Sequence, residues 1–502
     1  MLFNSYVFIL FFLPITLVGY FFANRANGIL SAVFPRIQNP GFLLGKIFLL
    51  GMSLWFYAYF TLPYLWIIVL SIVCNFAFSR LLLRTSAKSA KRLLLVFSLL
   101  LNLGVLFYFK YYNFFAENLN VLFHTDYTLR HLILPLGISF FTFQQISFLA
   151  DTFRGEAPAY PFMDYALFVA YFPQLIAGPI MMHAELLPQF SDPQRKRFSF
   201  PAFSRGLYAF AFGMVKKVLL ADAFANAVNW GYADISALGS IQALLVVLFY
   251  TLQIYFDFSG YCDMAVGLGL MFHIDIAQNF NSPYRALTIT DFWSRWHITL
   301  TRFFRKYVYI PLGGNRHGAF RTHLNTMLVF LLSGLWHGAN WTFVLWGALH
   351  GAFFILTKAS SKAFARLHPA LSWMITFLFV NITWVFFRAD TLVQAGALFR
   401  QISLLNFAPL NASLAEPFFG PELRFFFSLL QRILPLQIFS DSRYVMLAFT
   451  LFAFWAVLAF HNGAERTGAF RPTLKTAFQT AFLLTWCILS LSGVSVFVYF
   501  NF

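Results

Sequence analysis

Residues 333 to 351 of the chain read SGLWHGANWTFVLWGALHG. This stretch is almost entirely apolar, yet it contains two histidines, His337 and His350, with Asn340 between them. It has no acidic residue and no lysine or arginine. Polar side chains are costly inside a membrane and are therefore candidates for function by default. The two histidines thus mark a place where the chain departs from a plain membrane segment.

The length of the surrounding apolar block predicts how the chain folds here. The block runs from residue 324 to residue 357, and as one straight helix it would be about 51 Å long, well beyond a bilayer core of about 30 Å. Two full spans would need roughly forty residues. Gly338 and Asn340 both weaken a helix. We therefore predict two short helices that meet at Gly338-Ala339-Asn340, with His337 next to the break and inside the membrane.

The composition of the whole chain is that of an integral membrane protein. Of its 502 residues, 60% are hydrophobic and 11% are charged, and the mean hydropathy is +0.70. Soluble domains carry roughly a quarter charged residues, and no stretch of this chain as long as a domain has such a composition. Lipid tolerates only helices or closed barrels, and no alternating strand pattern occurs. We therefore expect an all-α polytopic membrane protein.

The apolar blocks predict about eleven to thirteen helices, including short, broken or re-entrant ones. The first block has no basic segment before it and no cleavage-site pattern, so we interpret it as a span and not as a signal peptide. The candidate spans lie near residues 3 to 22, 42 to 60, 64 to 83, 93 to 110, 132 to 152, 163 to 182, 203 to 221, 239 to 256, 324 to 357, 371 to 388, 443 to 461 and 476 to 500.

The net charge of +17 fits cytoplasmic loops beside anionic lipid headgroups, so we do not expect nucleic-acid binding. Basic clusters lie at residues 80–92, 193–197 and 302–321, and the positive-inside rule places all three in the cytoplasm. Two apolar blocks separate the second and third clusters, which agrees with this placement. Three apolar blocks separate the first and second clusters, and this odd number would place the two clusters on opposite faces of the membrane. Either the block at 132–152 is re-entrant or broken, or one basic cluster is misplaced.

Residues 291 to 307, DFWSRWHITLTRFFRKY, predict an amphipathic helix that lies in the membrane interface. Thr290 or Asp291 is the candidate N-cap, and His297 falls near the edge of the apolar side. At about 100° per residue, one side of this helix carries Phe292, Trp293, Trp296, Leu300, Phe303, Phe304 and Tyr307, and the other carries Arg295, Thr299, Arg302, Arg305 and Lys306.

Further polar residues follow the candidate span at 239 to 256. We interpret them as possible functional groups, with a hydrogen-bonded or ion-paired structural role near a helix end as the alternative for the two carboxylates. They are Asp257 and Asp263 in DFSGYCDMAVGLGL, and Asn279, Asn281 and Arg285 in QNFNSPYR.

Histidine is the best candidate for a general base in this chain. No GxGxxG, HExxH or GxSxG motif occurs, whereas the unperturbed pKa of histidine, about 6.5, suits proton transfer near neutral pH. A neutral histidine that binds a neighbouring carbonyl group is the alternative for His337. His350 has no matching break beside it, and we interpret it as structural. The cysteines, which are far apart and predict neither a disulfide framework nor a metal site, are Cys74, Cys262 and Cys487.

Several stretches together resemble the membrane-bound O-acyltransferase family. The combination of FWSRWHITL with GLWHGANW about forty residues later is highly specific, and the resemblance covers nearly the whole chain. It is closest to the bacterial branch of alginate and peptidoglycan O-acetyltransferases, with the D-alanyl transfer protein of teichoic acids more distant. The stretches are FPQLIAGPI (172–180), YFDFSGYCDMAVGLG (255–269), NFNSPYRALTITDFWSRWHITLTRFFRKYVYIPLGGNR (279–316), SGLWHGANWTFVLWGALHG (333–351) and WVFFRAD (384–390).

The resemblance implies that His337 is the catalytic histidine and His297 the second functional position. It implies a ring of helices around a thinned centre, with a funnel from each face that meets at the histidine. We expect one membrane-embedded domain over residues 1–502, with a catalytic core at about 130–390 and C-terminal helices at 391–502. The side chains that we expect to bind substrate are those of Arg295, Arg302, Trp336, Asn340, Asp257 and Asn281.

The activity that the resemblance implies is acetyl transfer from cytoplasmic acetyl-CoA, across the bacterial inner membrane, to an extracytoplasmic polysaccharide. We expect no permanently bound cofactor or metal. We do expect a periplasmic partner protein that resembles a serine esterase. The basic residues from 295 to 306, with Arg316, are expected to attract the donor phosphates. His337 would act as a base or carry the acetyl group itself. A transporter or flippase of a cell-envelope precursor is the alternative, although no internal repeat occurs.

Overall fold

The computed structural model describes residues 1–60, 62–420, 424 and 441–491. Over these residues the chain is helical, and its one β-type pairing is an isolated bridge between Phe280 and Trp296. This confirms the all-α polytopic fold. The described segments that are long and apolar enough to cross a membrane are Phe8–Arg25, Pro40–Ala58, Leu62–Arg84, Lys88–Phe123, Ser240–Met271, Trp341–Ala359, Pro369–Arg388 and Ser442–Ala459.

The α-helices are α1 (Leu13–Arg25), α2 (Asn27–Val33), α3 (Pro40–Ala58), α4 (Leu65–Arg84), α5 (Lys88–Leu106), α6 (Tyr112–Phe123), α7 (Ile138–Arg154), α8 (Phe162–Ala170), α9 (Phe172–Leu175), α10 (His183–Ser191), α11 (Phe200–Met214), α12 (Asp222–Ala233), α13 (Ser240–Met271), α14 (Ile289–Arg295), α15 (Ile298–Phe304), α16 (Gly318–His337), α17 (Trp341–Ala359), α18 (Ser361–Phe364), α19 (Pro369–Arg388), α20 (Leu392–Ser403), α21 (Ala412–Ala415), α22 (Ser442–Ala459), α23 (Gly463–Gly468) and α24 (Leu474–Leu489).

Tighter and wider helical turns join these helices. The last predicted span, at 476 to 500, is helical as far as Leu489, and its residues 492–500 lie outside the described part of the chain. The π-helical segments are Phe8–Phe12, Phe107–Tyr111, Val215–Ala221 and Arg305–Tyr309, and the 3-10 turns are Leu62–Tyr64, Pro193–Lys196, Ile235–Ala237, Pro283–Arg285 and Glu416–Phe418.

Helices α5 and α7 lie antiparallel along their whole length. Near one end the ammonium group of Lys91 lies 5.7 Å from the centre of the Phe153 ring. Near the other end Lys110 Nζ lies 3.5 Å from Ser139 Oγ. α7 therefore covers the same depth as α5, and it is unbroken from Ile138 onward. The alternative of a re-entrant or broken block at 132–152 is therefore wrong, because its proline and glycine precede the helix.

The predicted span at 163–182 is wrong. Helix α8 ends at Ala170, the four-residue α9 follows, and the chain is irregular from Ile176 onward. Pro173 lacks a backbone donor, and the pair Gly178-Pro179 ends the helical run. Residues 164–183 are all buried, so this segment is interior. Between the first two basic clusters the chain then leaves the basic end through α5 and returns to it through α7, as the positive-inside rule requires.

The three basic clusters lie at one end of the molecule, which we call the basic end. Lys306 Nζ lies 2.8 Å from Glu156, just beyond the end of α7 that packs beside the first cluster. Arg302 and Arg195, from the third and second clusters, both bind side chains of α10. The shared location of these clusters agrees with a common cytoplasmic face.

The long helix α13 forms the centre of the molecule, and α11 crosses it closely. A Cβ atom at Gly206 of α11 would lie 2.5 Å from the carbonyl oxygen of Gly267 of α13, and one at Gly213 would lie 2.7 Å from that of Gly260. Only glycine permits such an approach. α13 continues to Met271 instead of ending near residue 256, because these contacts bury its second half on all sides.

Helices α16 and α17 confirm the predicted break. α16 ends at His337, Gly338 is extended, and Asn340 Oδ1 accepts a hydrogen bond from the Thr342 amide at 3.1 Å to cap α17. The helices contain 20 and 19 residues, so they are longer than expected, because α16 begins at Gly318 instead of near residue 324. His337 is therefore the last residue of a helix that starts at the basic end.

Candidate active site

The predicted interfacial helix is broken at His297. α14 ends before this residue and α15 begins after it, and His297 itself has a left-handed backbone with φ of 46°. The backbone of residues 279–281, which precede these helices, forms hydrogen bonds with the backbone on both sides of His297. The Asn281 amide donates to the carbonyl of Arg295 at 2.9 Å, and the Ile298 amide donates to that of Asn279 at 3.0 Å. The prediction of one continuous helix is wrong because these long-range hydrogen bonds replace helical ones.

The two-sided pattern survives this break. Thr288 is the N-cap of α14, and its Oγ1 accepts from the Asp291 amide at 3.2 Å, so Thr290 and Asp291 were wrong as candidates. Thr299, predicted on the polar side, is buried, and so is His297, with 0% of its surface exposed. The interface position predicted for His297 is therefore wrong. The predicted apolar residues that are buried are Phe292, Trp293, Trp296, Leu300, Phe303 and Phe304.

Asn279 holds the ring of His297. The Asn279 Oδ1 atom lies 3.3 Å from His297 Nδ1 and accepts from the Thr299 amide at 3.1 Å and from its hydroxyl at 2.7 Å. An oxygen that faces Nδ1 favours the tautomer in which Nδ1 carries the proton. The buried Nε2 then presents a lone pair, and it has no hydrogen-bond partner among the described residues. His297 is thus oriented as a proton acceptor.

Trp336 brings the two predicted histidines together. Its ring centre lies 5.9 Å from that of His297 and 5.0 Å from that of His337. Trp346 and Phe387 lie against His337 at 5.2 and 5.0 Å, and only 3% of His337 is exposed. The two histidines, 40 residues apart in the chain, therefore share one aromatic pocket.

Lys110 is a site residue that sequence reasoning missed. Its Nζ donates to the carbonyl oxygen of Trp336 at 2.5 Å and to that of His337 at 3.3 Å. The neighbouring Tyr111 hydroxyl donates to the carbonyl oxygen of Leu335 at 2.9 Å. Both side chains reach α16 from the π-helical turn that follows α5. A lysine at the end of the apolar block 93 to 110 was the available signal, because membrane-embedded cations are rarely accidental.

A cavity of about 40 Å³, which we call the outer cavity, lies directly beside His337. Lys110, Trp336 and the turn before α7 line it. It lies at the end of α5 opposite Lys91 and hence away from the basic end. This volume admits a hydroxyl group together with a few water molecules.

A second cavity, the inner cavity, lies at the basic end between α14–α15 and the α16–α17 pair. Its volume is about 350 Å³, and its walls are mostly aromatic and aliphatic. Trp293 and Ser333 line it, each four residues before one of the two histidines. Arg305 and Lys358 are exposed at its rim, and neither belongs to an ion pair within the part of the chain that the structure describes.

The predicted donor-binding arginines are committed to acidic partners. Arg295 Nε lies 2.7 Å from Asp291. Arg302 binds Glu185 through both terminal nitrogens, one of them at 2.8 Å. Their charges are therefore largely neutralised at the basic end, and the structure does not bring either guanidinium group to the histidines.

Asp257 and Asn281 both bind polar side chains of the protein itself. Lys217 Nζ lies 2.8 Å from Asp257 and 3.0 Å from Asp222, and all three side chains are buried. Asn281 Oδ1 accepts from Asn462 at 2.9 Å. Asp257 is thus ion-paired, which was the structural alternative for this residue. It lies inside α13, however, and not near a helix end.

Asn340 and His350 hold helices in place. Asn340 caps α17 and donates through Nδ2 to the carbonyl oxygen of Asp390 at 2.8 Å. His350 is fully buried, and its Nδ1 accepts from Trp293 Nε1 at 3.2 Å. This geometry agrees with the structural role that we expected for His350. Trp336 is therefore the predicted substrate-binding residue that directly contacts both histidines.

Comparison with known proteins identifies the family of the chain. The model of the membrane-bound O-acyltransferase family matches residues 154–393. Peptidoglycan O-acetyltransferase from Helicobacter pylori is 43% identical over 81% of this chain and 80% of its own length. The probable alginate O-acetylase AlgI from Pseudomonas aeruginosa is 39% identical over 82% and 78%, respectively.

The teichoic acid D-alanyltransferase of Bacillus subtilis is a more distant relative, as expected, with 26% identity over 44% of this chain and 58% of its own length. The relatives that cover most of the chain are acyltransferases, so the protein is an enzyme of that class and not the transporter or flippase that was the alternative. The chain belongs to the membrane-bound O-acyltransferase family and is a multi-pass membrane acyltransferase.

Proposed function

We propose that the protein takes an acetyl group from cytoplasmic acetyl-CoA and delivers it across the bacterial inner membrane for O-acetylation of an extracytoplasmic polysaccharide. The observation that carries this proposal is the position of His337 and His297 against one indole ring, between a cavity at the basic end and a cavity at the opposite end. The names of the relatives, which act on peptidoglycan and alginate, support acetyl as the group and a polysaccharide as the final acceptor.

The inner cavity is the entrance that best suits an anionic donor. Its rim carries Arg305 and Lys358 without acidic partners among the described residues, and cations pair with phosphate oxygens. A polar cavity of about 240 Å³ lies nearby, but its lining combines Arg205 with Asp263 and Asp275. The two carboxylates are bound by Arg195, Arg205 and Lys216, so this lining has no uncompensated cation for a polyphosphate. The charge balance therefore directs the phosphates of acetyl-CoA to the inner cavity and its acetyl end toward Trp293 and Ser333.

The reaction needs one base at the histidine pair. In our proposal His337 takes the proton from an acceptor hydroxyl in the outer cavity, and the hydroxyl oxygen attacks the thioester carbonyl carbon. A C–O bond forms, the C–S bond breaks, and the CoA sulfur leaves with the proton that His337 had accepted. His297, held by Asn279, is a second proton acceptor on the donor side. Closely packed aromatic rings exclude water and so limit hydrolysis of the thioester.

The acceptor in this proposal is a hydroxyl of a separate extracytoplasmic protein with a serine esterase-like site. The outer cavity, at about 40 Å³, suits a hydroxyl-bearing side chain better than a length of polymer. Such a partner would then pass the acetyl group to the polysaccharide. We accordingly expect weak or no acetylation of polymer by this protein alone.

Transfer of radiolabelled acetyl groups from acetyl-CoA tests the proposal in membranes that contain the protein with and without an extracytoplasmic partner. His337→Ala should abolish label transfer, whereas His323→Ala, a half-buried histidine on the same helix, should retain it. Equal transfer by His337→Ala at equal protein level would contradict the role of His337. Label that accumulates on the purified protein as an acid-labile acyl-histidine would show that the histidine carries the acetyl group instead of acting as a base.

A further inference from the structure

A third cavity at the basic end has no part in the acyl-transfer site. It has a volume of about 790 Å³ and lies between the first helices of the chain and the segment around residues 196–200. Arg25, Lys196 and Arg197 line it, together with several phenylalanines, and no acidic residue does. We call it the N-terminal cavity. Its lining combines three cations with an apolar surface.

The three cations of the N-terminal cavity have no carboxylate partner in the described structure. None of them belongs to an ion pair among the described residues. The two carboxylates whose charges act on Lys196 are already bound, Asp164 by Lys46 and Asp192 by Arg195, the latter at 3.7 Å. The attraction of these two carboxylates for Lys196 does not offset its burial, and none of the three lining cations has a direct carboxylate partner among the described residues.

Lys196 is buried, with 3% of its surface exposed. Its Nζ donates to the Tyr20 hydroxyl at 3.3 Å and lies over the rings of Tyr20 and Phe190, 5.7 and 6.0 Å from their centres. Burial lowers the pKa of Lys196 to about 7, and the charge of Lys46 acts in the same direction. A buried cation without a carboxylate is costly, and an anion in the cavity would offset this cost.

The mouth of the N-terminal cavity is apolar and exposed. Phe22 and Phe200 are 74% and 75% exposed, and Phe198 is 42% exposed. Side chains this large and apolar are costly in water but favourable against acyl chains. An anionic lipid has two parts that complement this arrangement. Its phosphate can bind the cations inside the cavity, and its hydrocarbon tails can pack against the aromatic rings at the mouth.

We propose that the N-terminal cavity binds an anionic phospholipid of the leaflet at the basic end, with its phosphodiester at Lys196, Arg197 and Arg25 and its acyl chains along Phe22 and Phe200. The cytoplasmic leaflet attracts basic segments because it carries the anionic lipids. A lipid in this position would join α1 to the segment that leads into α11. It would thereby fasten the N-terminal helices to the central helices.

Native mass spectrometry of the full-length purified protein tests this site by titration with dioleoylphosphatidylglycerol, dioleoylphosphatidylcholine or inorganic phosphate. The double variant Lys196→Gln/Arg197→Gln should bind phosphatidylglycerol roughly thirtyfold more weakly, the factor expected from the loss of two cation contacts. The matched control is Lys88→Gln/Arg92→Gln, which removes two exposed cations at the same end outside the cavity. It should keep the wild-type affinity.

Measurements on the wild-type protein and on Arg25→Gln keep the test decisive if the double variant does not fold. Phosphatidylglycerol should raise the melting temperature of the wild-type protein more than phosphatidylcholine does, and salt should weaken this effect because it screens the charges. Arg25→Gln, at an exposed position, should reduce it. Equal effects of the two lipids, an equal effect of inorganic phosphate, or unchanged affinity in the cavity variants would overturn the proposal.

Discussion

Lys110 Nζ lies 2.5 Å from the carbonyl oxygen of Trp336, the residue whose ring contacts both His297 and His337. The same ammonium group also binds the carbonyl of His337. These carbonyls belong to the last turn of α16, where helical partners are missing and a cation is favourable. Lys110 therefore fixes the backbone from which the catalytic candidate projects.

Lys110→Met should lower the rate of acetyl transfer by about fivefold or more, because a buried carbonyl without a donor costs about 1–3 kcal/mol. The KM for acetyl-CoA should change little, since Lys110 lines the outer cavity. Steady-state kinetics with labelled acetyl-CoA measure both quantities. Tyr111→Phe is the control, because it removes one neutral hydrogen bond from the same helix end. Equal losses in the two variants would mean that Lys110 supports only the fold.

His297→Asn and His297→Ala should both lose acetyl transfer, but they should differ in stability. His297 has a positive φ, which Asn tolerates well and which costs Ala roughly 1 kcal/mol. His297→Asn should therefore melt near the wild-type temperature and His297→Ala below it. Thermal unfolding in detergent and label transfer are measured on the same preparations. Wild-type transfer by His297→Asn would show that this position serves the backbone turn and not proton transfer.

Arg305→Gln/Lys358→Gln should raise the KM for acetyl-CoA roughly tenfold with little change in kcat, because two exposed contacts to phosphate are lost. High salt should reduce the difference between this variant and the wild-type protein. Arg295→Gln is the matched control, since Arg295 is already bound to Asp291. A larger effect of Arg295→Gln would instead favour the original assignment of Arg295 to the donor.

Lys217→Met should destabilise the protein by about 3–5 kcal/mol, because it leaves Asp222 and Asp257 as buried charges. Lys216→Met should cost less, since the Lys216–Asp263 pair is more exposed. Chemical unfolding and the yield of folded protein measure the difference. Adding Asp257→Asn to Lys217→Met should restore part of the stability. Normal folding together with lost transfer in Asp257→Asn alone would show that Asp257 binds substrate.

Gly334→Ala should disrupt the α16–α17 pair and lower the yield of folded protein. A Cβ atom there would collide with the carbonyl oxygen of Phe343, and backbone cannot move aside as a side chain can. Gly396→Ala is the control, since the helical Gly396 has nothing within 4 Å of an added Cβ, and it should be neutral or slightly stabilising. Fluorescence-detected size-exclusion chromatography compares the two variants directly.

Length and composition predicted the membrane class and the break at Gly338 to Asn340 correctly, because a bilayer limits helix length directly. They failed for residues 163–182, where an apolar stretch is buried by protein and not by lipid. Hydropathy does not distinguish these two apolar environments. Pro173 and the pair Gly178-Pro179 indicated that the helix ends within this segment, but the span was predicted from its hydropathy alone.

The sequence by itself determined the membrane class, the family and the position of the helix break, and it predicted as site residues two histidines that the structure places against one tryptophan ring. Only the tertiary structure decided that His297 is buried at a left-handed turn, that Trp336 contacts both histidines, and that Lys110 binds the end of the helix that carries His337. These relationships join residues that are far apart in the chain. Their hydrogen bonds and ring contacts depend on helix packing, which local periodicity does not encode. For the same reason our proposal assigns donor binding to Arg305 and Lys358, which have no ion-pair partner among the described residues, and not to Arg295 or Arg302, which do.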